Sequence, residues 1–228
     1  MHEWVNFDMR YLICILFITL VFSQGGGYAL NFDGSNDFIT INTPDNIPSG
    51  SNAYSIVSWI KANSMHNGSI IGWGYWGSTN RCNALRLHGD PYYIINYWWG
   101  NDLHVTPTDL SGTWYHVAAT YDGSSRKIYL NGELLGTNST SGLNAAVVNM
   151  RIGSSNNGTL FSGQIDDLSV WSTGLSQADV RSIMHKELAG NESNLVAYWD
   201  MSNGTGTSLA DNSSNSNTGT LTNMDNSD

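Results

Sequence analysis

Four aspartates and one dense run of aromatic rings are the residues of this chain best able to do chemistry. Asp33 and Asp37 flank the short turn Gly34-Ser35-Asn36, and Asp166 and Asp167 stand side by side in the stretch Ile165 to Trp171. Successive side chains on a strand alternate between faces. Asp166 therefore shares a face with Leu168 and Val170, and Asp167 shares one with Ile165 and Trp171. One of the two must point at apolar surroundings, where a carboxylate is costly unless neutralised, paired or metal-bound. No Lys or Arg stands nearby in sequence. Calcium takes six to eight oxygens from carboxylates and carbonyls, so the expected cofactor is a structural calcium at Asp33, Asp37, Asp166 and Asp167. The plainer alternative is a carboxylate accepting backbone N–H bonds at a turn. An EF-hand reading of Asp33-x-Ser35-x-Asp37 fails because Phe38 replaces the required Gly. Asn101-Asp102 is a second, weaker oxygen-ligand candidate.

The aromatic run holds Trp73, Tyr75, Trp76, Tyr92, Tyr93, Tyr97, Trp98 and Trp99, interleaved with Asn80, Asn83, His88, Asp90, Asn96 and Asn101. Sugar rings stack their C–H faces on aromatic rings, and amides and carboxylates take the hydroxyls. Core packing is the competing use, and alternation assigns about half of these rings to it. Trp73, Tyr75 and Trp76 lie among glycines and are expected to be exposed. The expected ligand surface is Trp73, Tyr75, Trp76, Tyr97, Trp98, Asn101 and Asp102. Arg86 reads as the partner of a neighbouring carboxylate. Gly72 to Gly77 matches a nucleotide-loop spacing, but bulky aromatics fill the gaps and no amphipathic helix follows.

Composition narrows the partners. Charged residues make up only 12 % of 228, the net charge is −10, and the nine basic residues form no cluster. Nucleic acid and anionic membrane surfaces need concentrated positive charge and are not expected as partners. The apolar run Tyr11 to Phe22 is too short to span a bilayer and has the length of a signal-peptide core. Residues 1–23 are read as a leader, with Met9 as an alternative start. The mature chain is expected to be secreted or at the cell surface, with no membrane insertion. Removal of Cys14 with the leader would leave Cys82 unpaired, as a small buried hydrophobe.

Short β-rich segments separated by Gly, Asn and Ser turns argue for an antiparallel sandwich and against βαβ units. The centre is Thr113 to Gly136. Asp122-Gly123-Ser124-Ser125 is a turn, and Asn131-Gly132 has the chemistry of a type I′ hairpin. Phe32, Trp59, Val117, Ile128 and Leu168 are expected inside. One helix is expected after Ser176, with Asp179 completing a capping box and Gly190 ending it. The domain is assigned to residues 24–200. Residues 201–228 are read as a loosely ordered Ser/Asn/Gly-rich tail or a linker to a further module.

Trp-Tyr-His-Val-Ala-Ala-Thr-Tyr-Asp-Gly at 114–123 and Lys-Ile-Tyr-Leu-Asn-Gly at 127–132 resemble the centre of the laminin-G-like branch of the concanavalin A-like lectin/glucanase superfamily. Residues 29–39 resemble its opening strand pair, and residues 161–171 its closing strand. The resemblance implies a jelly roll in which first and last strands are neighbours, so that the four aspartates would converge. The glucanases of that fold carry E-x-D-x-E on one strand, with two carboxylates about 5 Å apart. The four glutamates here, Glu3, Glu133, Glu187 and Glu192, form no such set. His116 has no neighbouring nucleophile in sequence. The reading is a secreted, non-catalytic, calcium-binding module that binds glycans or glycoproteins within a larger protein. A structural or protein-adhesion module and a hydrolase built on an Asp pair are the alternatives.

Overall fold

The computed structural model describes residues 28–155, 158–202 and 206–224. The leader expected over residues 1–23, and Cys14 within it, lie outside these residues. The chain runs through β1 (Leu30–Asp33), β2 (Phe38–Ile41), β3 (Tyr54–Ala62), β4 (Gly68–Gly74), β5 (Cys82–His88), β6 (Tyr93–Tyr97), β7 (Leu103–Val105) and β8 (Tyr115–Tyr121). It continues through β9 (Ser125–Leu130), β10 (Glu133–Ser139), β11 (Met150–Ile152), β12 (Ser162–Trp171), α1 (Gln177–Ile183), β13 (Leu195–Trp199), β14 (Ser208–Leu209) and β15 (Gly219–Thr222). Sheet A has the order β1-β12-β3-β8-β9-β10, with β13 also on β12. Sheet B has the order β14-β15-β2-β11-β4-β5-β6-β7. The pairing is antiparallel throughout both sheets, and the sheets face each other as a sandwich.

Local chemistry explains the central hairpins. The Asp122 carboxylate accepts the N–H groups of Ser124 and Ser125 at 2.9 and 2.8 Å, closing the β8–β9 turn. Asn131 and Gly132 both have positive φ, 49° and 74°, as a type I′ turn requires. Alternation then sends Val117, Ala119, Tyr121 and Ile128 into the space between the sheets, where they meet Phe32, Ile60 and Leu168. Trp59 departs from expectation. It points out of sheet A, against His116 and His185, and its Nε1 donates to the Met184 carbonyl at 2.9 Å.

Ser176 and Asp179 form the expected capping box, but α1 ends at Ile183 and does not reach Gly190. The Lys186 N–H bonds the Ile183 carbonyl in a tighter turn, and Trp59 satisfies the Met184 carbonyl beyond the helix end. Val180, Ile183 and Leu188 cover Val57, Ala118, Tyr129, Trp171 and Tyr198, which closes the outer face of sheet A. No helix among the described residues is long and apolar enough to cross a membrane.

The C-terminal segment differs from the loose tail expected of it. β15 pairs with β2 and extends sheet B, and Met201 and Leu209 are fully buried. Asp211 accepts N–H groups from Tyr198, Ser213 and Asn217, and Asn217 Oδ1 accepts the Asp45 N–H at 2.6 Å. The polar composition is used internally, in place of an apolar core stripe. Truncation after Ser202 is therefore expected to strip the cover from Ile39 and Ile41 and lower the melting temperature by several degrees. An unchanged melting temperature would show that the segment is dispensable.

Candidate functional site

The aromatic run divides by face. Ile71 and Trp73 of β4, Leu85 and Leu87 of β5, and Ile94 of β6 point between the sheets. Trp73 and Trp98 are fully buried there. This corrects the expectation that both lie on the ligand surface. Trp98 Nε1 donates to Tyr54 Oη at 3.0 Å, and Tyr54 donates to Asn96 Oδ1 at 2.6 Å. Trp73 meets the Tyr54 ring edge-on at 6.3 Å.

The other half of the run is on the outer face of sheet B. Register aligns Arg151, Gly72, Ala84 and Tyr97 in one row across β11, β4, β5 and β6. Two small residues in mid-row leave a trough, and the Trp76 ring lies in it. A Cβ on Gly72 would sit 2.9 Å from the Ala84 Cβ and 3.2 Å from Trp76 Cη2. Trp76 stacks beside Tyr97, with centroids 6.0 Å apart and planes at 24°. Trp99 meets Tyr97 edge-on at 6.0 Å, and the Arg86 guanidinium lies 4.5 Å from the Tyr97 centroid. Trp99 has φ 60°, which turns it to the face opposite Trp98. Trp76, Tyr97 and Trp99 are partly exposed, and Tyr75 beside them is half exposed, with Arg81 5.6 Å from its ring.

The two polar residues expected at this surface are already engaged. Asn101 donates to Asn80 Oδ1 and Thr140 Oγ1 at 2.9 and 3.1 Å. Asp102 accepts the Trp98 N–H at 2.6 Å and has His104 Nε2 at 3.9 Å. Both stiffen the loop that ends the platform. Arg86 contradicts its expected role, since no carboxylate pairs with it among the described residues. The sequence carries a signal for Trp99 and Arg86 in their alternation with Trp98 and Leu87, which places them on the face opposite the core.

The aspartates do not converge. The Asp33 carboxylate caps its own turn, accepting from Ser35 and Asn36, and these bonds hold its pKa below the usual range. Asp37 Oδ2 accepts the Asp33 N–H at 2.8 Å. β1 does neighbour β12, but Asp33 pairs with Ser162, and Asp166 lies four residues further along. Four strand residues span about 13 Å, while two oxygens on one calcium lie within about 5 Å of each other. One ion cannot bridge the two pairs. No group of three or more His, Cys, Asp or Glu gathers for a metal among the described residues.

Asp166 and Asp167 form a different site. A bulge between Asp166 and Ser169, with Asp167 at φ 47°, breaks the alternation. Asp166 shares the outer face with its partner Trp59, and Asp167 accepts the Tyr198 hydroxyl at 2.6 Å. Burial first, and then the neighbouring Asp167 charge, push the Asp166 pKa up to about 8. His116 and Asp167 line a cleft of about 10 Å³, room for about one water. Burial first, and then His185, hold the His116 pKa down at about 3.

The family model for the concanavalin A-like lectin/glucanases superfamily matches residues 33–181. Mouse pappalysin-1 is 25 % identical over 179 residues, which is 68 % of this chain and 11 % of that protein. The chain thus spans a small part of that curated relative. A candidate carbohydrate binding protein from Bacteroides ovatus superposes with TM-score 0.67 at 22 % identity, covering 85 % of this chain and 57 % of that one. The CBM40 of Ruminococcus gnavus IT-sialidase, bound to α2,3-sialyllactose, superposes with TM-score 0.55 at 17 % identity, covering 69 % and 96 %. The two structural likenesses show the fold.

The buried Asp166 gives a pH signature. In the fold it keeps its proton up to about 8, whereas an unfolded Asp loses it near 3.9. The native state binds more protons in that window, so this contribution to stability is lost as pH rises through it. His116 acts in reverse: its contribution is lost as pH falls from about 6.5 toward about 3. From pH 6.5 to 8.5 the Asp166 slope acts without opposition from His116. The melting temperature should fall over that range, and Asp166→Asn should flatten the fall. Equal slopes in both proteins would contradict this account. Added calcium or EDTA should leave the melting temperature unchanged, and a calcium-dependent rise would restore an ion to the carboxylates.

Proposed function

The chain belongs to the concanavalin A-like lectin/glucanase superfamily, and from that premise we propose that it is a non-catalytic glycan-binding module acting through the outer face of sheet B. One observation carries the reading. Trp76, Tyr97 and Trp99 form a partly exposed aromatic cluster, seated on Gly72 and Ala84 and stiffened by Arg86. A sugar ring needs a flat apolar surface held rigid before binding, because fixing loose side chains opposes association. The opposite face of the sandwich is closed by α1. The printed descriptions of two structural neighbours, one as a candidate carbohydrate binding protein and one as a module bound to sialyllactose, support the same reading.

The non-catalytic part rests on the carboxylates. Glu133 pairs with Arg181 and Glu192 with Lys186, both away from the platform. Asp166 and Asp167 are adjacent, but Asp166 is almost fully buried and Asp167 is held by the Tyr198 hydroxyl. The reading extends to a secreted or cell-surface protein in which this module is one part of a longer chain. Single modules would bind weakly, and repetition would raise affinity by avidity.

Loss of one stacked ring removes on the order of 1 kcal/mol, or about fivefold in affinity. Trp76→Ala should lower glycan affinity by about that factor in titration calorimetry and leave the melting temperature nearly unchanged. Trp98→Ala empties a core position and should cost about 3–5 kcal/mol of stability. If Trp76→Ala leaves the affinity for every bound glycan unchanged, the binding surface lies elsewhere.

A further inference from the structure

We infer that the ligand taken by the outer face of sheet B carries a carboxylate, so that the module selects acidic sugars over neutral ones. The inference rests on the glycan-binding reading and adds the ligand's charge. Its basis is the placement of cations in a chain with net charge −10. Three of the nine basic residues, Arg81, Arg86 and Arg151, stand around the aromatic cluster. None of the three has a carboxylate within 4 Å among the described residues. Among the described residues Lys61 and the core Arg126 also have none, while Lys127, Arg181 and Lys186 have such partners and lie elsewhere.

Arg86 is the centre of the argument. It is 7 % exposed, and its Nε is buried with no hydrogen-bond partner. A buried guanidinium is costly unless compensated. The compensation here is partial: the Tyr97 ring at 4.5 Å, the hydroxyl of the same tyrosine, and the more distant charge of Asp102. Asp102 is itself held by the Trp98 N–H. Arg81 Nε and Trp76 Nε1 are also buried donors without acceptors. The unmet polar groups at the platform are thus all N–H donors. These buried atoms do not themselves touch a ligand. They leave the guanidinium charges under-compensated; Arg81 and Arg151 are partly exposed and can take a planar carboxylate in bidentate fashion, with the buried Arg86 charge attracting it from beneath. An aromatic surface bordered by such cations fits a ring with an apolar face and an acidic edge.

The test compares sugars that differ in the charge of a carboxylate: trigalacturonate against its methyl ester, and 3′-sialyllactose against its methyl ester, with the full chain in titration calorimetry. The inference expects the acid of at least one pair to bind on the order of tenfold more tightly. That advantage should shrink as NaCl rises from 20 to 500 mM, because salt screens the charge and not the stacking. Arg86→Met should bring the ratio of acid to neutral affinity, both measured on that variant, close to one. If that variant does not fold, the salt dependence of the native chain decides. Equal binding of acid and neutral partner, with no salt dependence, would overturn the inference and leave glycan binding standing. Binding of no sugar in this set or on a broad glycan array would overturn both.

Discussion

A guanidinium buried between the two sheets sets the faces of the strands around it. Arg126 of β9 is fully buried and lies 3.9 Å from the Trp98 ring centroid. It donates to the Asn101 carbonyl at 2.8 Å and reaches Asn138 Oδ1 at 3.3 Å. Next to it, Tyr54, Asn96, Asn83 and Trp98 form one chain of hydrogen bonds. Arg126 Nη2 and Asn83 Nδ2 find no partner, but another register for β6 would strip these groups of the bonds they do make, which is costly in the core. With Asn96 and Trp98 inside, Tyr97 must be outside, and the turn at Trp99 follows it. The exposed cluster is the outward half of a pattern whose inward half is fixed by Arg126.

The two outer faces then differ in fate. On sheet A, Val57, Ala118, Tyr129, Trp171 and Tyr198 are apolar enough to need a cover, and α1 supplies it. On sheet B, Gly72 and Ala84 leave a trough that one indole fills, with its neighbours partly open to solvent. The same fold thus seals one surface and furnishes the other with rings. Arg86 and Arg81 place two cations beside that second surface in an acidic chain.

Most of the fold was legible because its signals are local. The Asp122 cap, the Asn131-Gly132 turn and the Ser176–Asp179 box each lie within four residues, and each forms as read. The misreadings share a different origin. Asp167 breaks the two-residue period with a bulge, so alternation assigned the aspartate pair wrongly. Glycines beside Trp73 suggested a loop, but Gly72 belongs to a strand and keeps its outer face low beneath Trp76. The C-terminal segment lacks an apolar run because Asp211 and Asn217 hold it through long-range bonds that leave no local periodicity. The candidate site was half legible: composition located the aromatic run, but which rings face outward depended on Arg126, far away in sequence.

The central claim is that glycans bind on the outer face of sheet B. An NMR titration of the ¹⁵N-labelled chain with a glycan selected on an array tests it most directly. The account predicts that the indole N–H signals of Trp76 and Trp99 and the amides of Ile95 to Trp99 shift together, while those of Trp59 and α1 stay still. Shifts confined to Trp59, His116 and α1, or to the turn at Asp33 to Asp37, would contradict it.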